Sequence, residues 1–210
     1  MPPKHLTLAI LLLAFTAHSG DNTITYANKT YKTVQIGEQV WFAENLNYDA
    51  EGSVCYGNNP ANCAKHGRLY NWETALKVCP EGWHLPSIAE WDKLFRFIDG
   101  TKGTESPYRS ETAGKHLKAV SGWKKGNGTD TYGFSAMPGG FGYSDGTFGS
   151  FGNVDYGSLN VGYYGFWWSA SKYENGSNDA CYRQVNYDYD YAYWNCSVKS
   201  SLLSVRCVKD

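Results

Sequence analysis

Six cysteines, Cys55, Cys63, Cys79, Cys181, Cys196 and Cys207, follow an N-terminal stretch with the grammar of an export signal. Lys4 and His5 give it a basic start, Leu6 to Phe15 is apolar, and Ala17-His18-Ser19 places small residues at the −3 and −1 positions before Gly20. The apolar run is shorter than the about 20 residues that cross a bilayer. It is also too close to the N-terminus to suit the alternative, a buried first helix. No cysteine follows the run at a lipidation position. Residues 1–19 are therefore expected to be a cleaved signal peptide and residues 20–210 a single exported domain, secreted or at the cell surface, with no transmembrane segment. An even set of cysteines in an exported chain argues for disulfides. A short polar loop separates Cys55 from Cys63, so a local staple is the economical pairing there. Zinc is a poor alternative, because the chain has no C-x-x-C and no Cys/His set at zinc-finger spacing.

A formal net charge of −1 gives no electrostatic pull toward nucleic acid, which is not expected as a partner. With 17 Tyr, 8 Trp and 23 Gly, the chain has few aliphatics, so its core must be built from large rings on a β- and loop-rich frame.

Along the chain, residues 20–28 read as a polar lead-in. Thr30 to Ile36 and Gln39 to Phe42 form a predicted hairpin about the Gly37-Glu38 pair. Asp49 to Lys65 reads as a polar loop. A first helix is predicted from an Asn71 cap to about Val78, stopped by Pro80 and Gly82. A second starts at a capping box, Ser87 with Glu90, and carries Ile88, Trp91, Leu94, Phe95 and Ile98 on one face until Asp99-Gly100. A short third helix is predicted near Glu111 to Ala119. Phe141 to Gly165 is glycine- and ring-rich, too regular in Gly for a helix, and is expected to be an ordered loop. Strands are predicted at Phe166 to Ser171, Ala180 to Tyr187 and Tyr189 to Cys196, with Ser201 to Val208 closing the sheet. Helices first and strands last in one domain give an α+β class with a mainly antiparallel sheet.

Seven stretches carry a resemblance: VWFAENLNY (Val40 to Tyr48), GRLYNWETAL (Gly67 to Leu76), CPEGWHLPSIAEWDKL (Cys79 to Leu94), AGKHLK (Ala113 to Lys118), GFSAMPGG (Gly133 to Gly140), WWSAS (Trp167 to Ser171) and SVRCVKD (Ser204 to Asp210). In these the chain resembles the Fibrobacter succinogenes major paralogous domain, a family of exported bacterial modules associated with surface and secreted proteins of fibre-degrading bacteria. A more distant resemblance, W-x-x-A-x-x-x-C ahead of H-L-P-S-x-x-E-W, is to the two-helix region of C-type-lectin-like domains. That resemblance implies a C-type-lectin-like fold with two or three short helices, a Cys79–Cys207 bridge from the first helix to the last strand, and a Cys181–Cys196 bridge between late strands. Cys55–Cys63 then remains, in agreement with the local staple.

Candidate chemistry is sparse. Lectin-type calcium sites need Glu-Pro-Asn or Gln-Pro-Asp with Trp-Asn-Asp. Here Trp194-Asn195 runs into Cys196, and Asn175, Asn178 and Asp179 lack the proline, so no cofactor is expected and calcium has no assembled ligand set. In Asn186 to Trp194, strict alternation puts Tyr187, Tyr189, Tyr191 and Tyr193 on one face and Asp188 and Asp190 on the other. These residues, with Trp194 and Trp168, are the candidate ligand-binding set. The bland alternative is a hairpin whose tyrosines cover the core and whose aspartates flank a solvated turn. Trp167 and Trp168 point to opposite faces, so at least one belongs to the core. Consecutive carboxylates on one strand do not face each other across a cleft, which argues against a glycosidase. His84 reads as a structural hydrogen bonder; His66 and His116 have no nucleophile partner, and Ser169 and Ser171 sit in no elbow motif. Asn127-Gly-Thr and Asn175-Gly-Ser read as turns. The expectation is an exported, non-catalytic binding or adhesion module for plant-wall polysaccharide or a surface protein. The alternatives are a structural envelope protein and an enzyme on a scaffold like that of the formylglycine-generating enzymes, whose chemistry needs cysteines that here are assigned to bridges.

Overall fold

The computed structural model describes residues 22–100, 109–124, 126, 128–149, 161–173 and 178–210. The predicted leader, Asn127, Asn175 and residues 150–160 of the glycine-aromatic loop lie outside them. The elements in chain order are β1 (Thr23–Tyr26), β2 (Lys29–Ile36), β3 (Gln39–Phe42), α1 (Pro60–His66), α2 (Trp72–Ala75), β4 (Trp83–His84), α3 (Ile88–Asp99), β5 (Arg109–Ser110), α4 (Ala113–Leu117), β6 (Tyr164–Lys172), β7 (Asp179–Asn186), β8 (Ala192–Val198) and β9 (Val208–Lys209). Two antiparallel sheets result, in the orders β1-β2-β3-β9-β4 and β5-β8-β7-β6. The class is α+β, as the sequence predicts.

Local chemistry explains most of the element ends. The β2–β3 turn places Gly37 at φ +60, where a side chain would be strained. The lead-in before it is not irregular: β1 pairs with β2 through Ala27 and Asn28, both left-handed at φ 48 and 62. A turn without glycine at its centre left little signal. The expected loop at Asp49 to Lys65 holds α1, whose Asn59 cap accepts from Ala61 N at 3.0 Å with Pro60 at the first helical position. α2 is shorter than predicted, although Asn71 Oδ1 caps it by accepting from Thr74 N at 2.9 Å. In α3 the capping box forms, with Ser87 N donating to Glu90 Oε2 at 2.8 Å, and Gly100 closes the helix at φ 68.

Rings fill the interior. One cluster gathers Tyr31, Phe42, Tyr70, Trp72, Phe166 and Trp168; the other packs Trp41, Trp91, Phe134 and Trp167 beneath α3. The Trp41 and Trp91 rings lie 4.8 Å apart. Disulfides join Cys55 to Cys63, Cys79 to Cys207 and Cys181 to Cys196. The C-terminal run is not one closing strand. It threads between elements, bridging Leu202 to Gly142, Leu203 to Tyr70 and Ser204 to Trp167 before β9 forms. Arg206 is fully buried on that thread. Its guanidinium donates to the carbonyls of Phe42 (3.0 Å), Phe134 and Ser135 (3.3 Å) and to Asn45 Oδ1 (2.8 Å). Burial pulls its pKa down to about 9.

Candidate functional site

The middle of the tyrosine repeat is a turn, and only Tyr193 and Trp194 of the candidate residues there lie on a strand. β7 ends at Asn186 and β8 begins at Ala192, so residues 187–191 form the connection. Strict alternation fails there because the backbone leaves the pleat. Tyr187 separates from the others and packs edge-on against Tyr163 at 5.1 Å. Tyr189 and Tyr191 stack at 4.7 Å and 16°, and Tyr193 continues the row at 5.7 Å from Tyr191. The Arg109 guanidinium lies 5.2 Å from the Tyr191 ring. Burial, then the neighbouring phenol of Tyr189, raises the Tyr191 pKa; burial raises that of Tyr193 further. Asp188, Tyr189 and Asp190 are exposed, Tyr189 by 46%.

A buried cation holds this turn. Lys118 is 2% exposed, and its Nζ donates to the carbonyls of Asn186 (3.3 Å), Tyr187 (3.2 Å) and Tyr189 (3.0 Å). Lys115 N donates to Asp190 O at 2.9 Å, and Tyr187 N to Tyr163 O at 2.8 Å. α4 presses so closely that a Cβ on Gly114 would lie 2.4 Å from Tyr191 O. Asp188 N donates to Asn186 Oδ1 at 2.8 Å. Lys118 has no signal in the sequence, because a lysine ordinarily faces water.

The remaining candidates divide. Trp168 is wholly buried and donates its Nε1 to Tyr70 O at 2.8 Å, so it is a core residue and leaves the binding set. Trp194 is half-buried on β8 opposite Arg183. Arg183 is itself buried and ion-paired to Asp92 of α3. His84 sits between two carboxylates, with Nδ1 2.5 Å from Asp210 and Nε2 2.7 Å from Glu90. Burial pulls its pKa down, but the hydrogen bonds and charges of Asp210 and Glu90 outweigh that and hold it above the usual value. This is a structural tie between β4, the α3 cap and the chain's last residue, with Asp210 the partner the sequence did not disclose. Burial, helped by Lys65, drives the His66 pKa down to about 4. Among the described residues no group of three or more His, Cys, Asp or Glu could hold a metal ion, and no helix is long and apolar enough to cross a membrane.

The profile described as Fibrobacter succinogenes major domain matches residues 34–209. The chain belongs to this family. No curated protein and no solved structure matches it. The matched span begins within β2 and takes in β3 to β9, α1 to α4, the three disulfides and the tyrosine turn, so the turn is part of a Fibrobacter succinogenes major domain and not an appendage to one.

Proposed function

We propose that the chain is an exported, non-catalytic binding module of C-type-lectin-like fold that contacts plant-wall polysaccharide through the β7–β8 turn. The observation that carries this reading is the clamped turn itself. Exposed Tyr189, Asp188 and Asp190 are presented on a backbone that Lys118 and α4 hold in one conformation. A rigid aromatic anchor loses little conformational entropy on binding, which favours affinity from a small contact. Stacking occupies one face of Tyr189, so its other face and the hydroxyl edges of the row are what a ligand meets. A sugar ring offers C–H groups to the former and hydroxyls to the two carboxylates. Export is supported by the leader grammar and by three disulfides, which persist in oxidising compartments. The fold proposal is supported by the Cys79–Cys207 tie between the helical region and the last strand.

Pull-down on insoluble cellulose and xylan, with a glycan array, tests the reading. Retention by a polysaccharide that is lost in Tyr189→Ala is expected. Absence of retention on every glycan sinks the polysaccharide reading, and retention only by envelope protein turns it into a surface-protein contact.

A further inference from the structure

The β7–β8 hairpin has a second end. Asp179 pairs with Val198 there and Val185 with Ala192 at the tyrosine end, so the two ends are about 20 Å apart along the strands. At the far end an open cleft of ≈ 530 Å³ is lined by Asn71, Glu73, Tyr143, Asn178, Lys199 and Leu202, among others. That volume lies within the range of small-molecule sites.

The walls of the cleft are tied to one another by backbone. Trp72 N donates to Lys199 O at 2.9 Å, joining the α2 wall to the turn after β8. Lys199 N donates to Asn178 O at 2.9 Å, and Gly142 and Leu202 exchange hydrogen bonds at 3.0 and 2.8 Å. Asn71 spends its oxygen on Thr74 N, which turns its amide nitrogen to use as a donor. The Lys199 ammonium lies 5.1 Å from the Trp72 ring, folded onto the protein instead of extended into water. Glu73 and Lys199 bring one negative and one positive charge to the same cleft, and no ion pair joins them among the described residues.

The chemistry of the lining selects a ligand class. An anion meets Glu73, a cation meets Lys199, and an apolar ligand leaves both charges and the amides without partners. A neutral molecule with interleaved donors and acceptors can satisfy the carboxylate, the ammonium and the amides together, while Tyr143 and Leu202 supply apolar surface. We infer that this cleft is a separate binding site for a neutral sugar or polyol unit, independent of the tyrosine turn.

Titration of the disulfide-intact domain with cellobiose and with xylobiose, followed by amide NMR, tests the site. Saturable shifts are expected at Tyr143, Asn178, Lys199 and Ser200. Glu73→Ala and Lys199→Ala should each weaken binding by about tenfold or more, since each removes a hydrogen bond to a charged group. Both variants should melt with the wild type, and Glu73→Gln, which keeps an acceptor, should lose less. Tyr189→Ala should leave these shifts unchanged, so failure at the turn and failure at the cleft are told apart. No saturable shift at the cleft with either sugar overturns the inference. Binding of a galacturonate dimer that needs Lys199 but is indifferent to Glu73→Ala also overturns it, by making the cleft an anion site.

Discussion

Replacing Lys118 by Met tests whether a single buried cation holds the tyrosine turn. Methionine fills nearly the same volume but has no donor, so three carbonyls, of Asn186, Tyr187 and Tyr189, lose their partner at once. Two effects oppose each other. Burial lowers the Lys118 pKa, against the pull of Asp190 and Asp188, so enclosing the ammonium carries a cost that Met removes. Each carbonyl left dry costs about 1–3 kcal/mol, but those of Tyr187 and Tyr189 lie in a turn whose neighbours are exposed, where water can replace part of the bonding. The loss of three acceptors' partners outweighs the relieved desolvation, giving a net destabilisation of about 2–4 kcal/mol. For a domain of this size that lowers Tm by about 5–15 °C. Hydrogen exchange should report the effect locally, with the amides of Tyr187 and Asp188 losing protection more than those of β7. If Lys118→Met melts with the wild type and those amides exchange unchanged, the turn is held by α4 and Tyr163 alone and the clamp is wrong.

The disulfides should rank by the loops they close. Cys-to-Ala pairs should cost about 5 kcal/mol at Cys79–Cys207, with a sequence separation of 128, but about 3 and 2.5 kcal/mol at Cys181–Cys196 and Cys55–Cys63, separated by 15 and 8. Denaturant unfolding of the three double variants checks the order, and a Cys79–Cys207 variant no weaker than the Cys55–Cys63 one refutes it. His84, whose folded pKa is raised, contributes stability that is complete below its unfolded value of about 6.5 and is lost as pH rises through the folded one. Glu90, whose pKa is lowered, contributes stability that is lost as pH falls through its folded value. His84→Ala should therefore cost more stability at about pH 5.5 than at about pH 8.5, the difference being at most about 1 kcal/mol because the imidazole is 40% exposed; equal losses in denaturant unfolding at both pH values count against the tie. Gly114→Ala should destabilise by about 1–3 kcal/mol, because its Cβ would meet Tyr191 O at 2.4 Å and Asp190 O at 2.7 Å. Thermal melting reads this, and an unshifted Tm would show that α4 and the turn separate freely.

What could be read in the sequence was whatever is encoded locally. The Ser87–Glu90 box, Gly37 and Gly100 each need only their neighbours to act, and each sits where the pattern puts it. α1 carried a comparable signal, Asn59 before Pro60, masked by the polar composition around it. The tyrosine repeat misled because alternation of residue type persists where the pleat does not. Asn186 and Asp188 close a turn within a sequence that still alternates. The features that hold the site were not legible at all, and for a common reason. A chain rich in glycine and rings places much backbone outside regular ladders, and buried carbonyls there still need donors. Lys118 supplies them to the tyrosine turn and Arg206 to the segments around Phe42 and Phe134. Both are buried, although lysine and arginine ordinarily lie at the surface. In this fold buried Lys and Arg do for irregular backbone what a neighbouring strand does for a sheet edge. The surface set on that backbone can therefore be as rigid as one built on a strand.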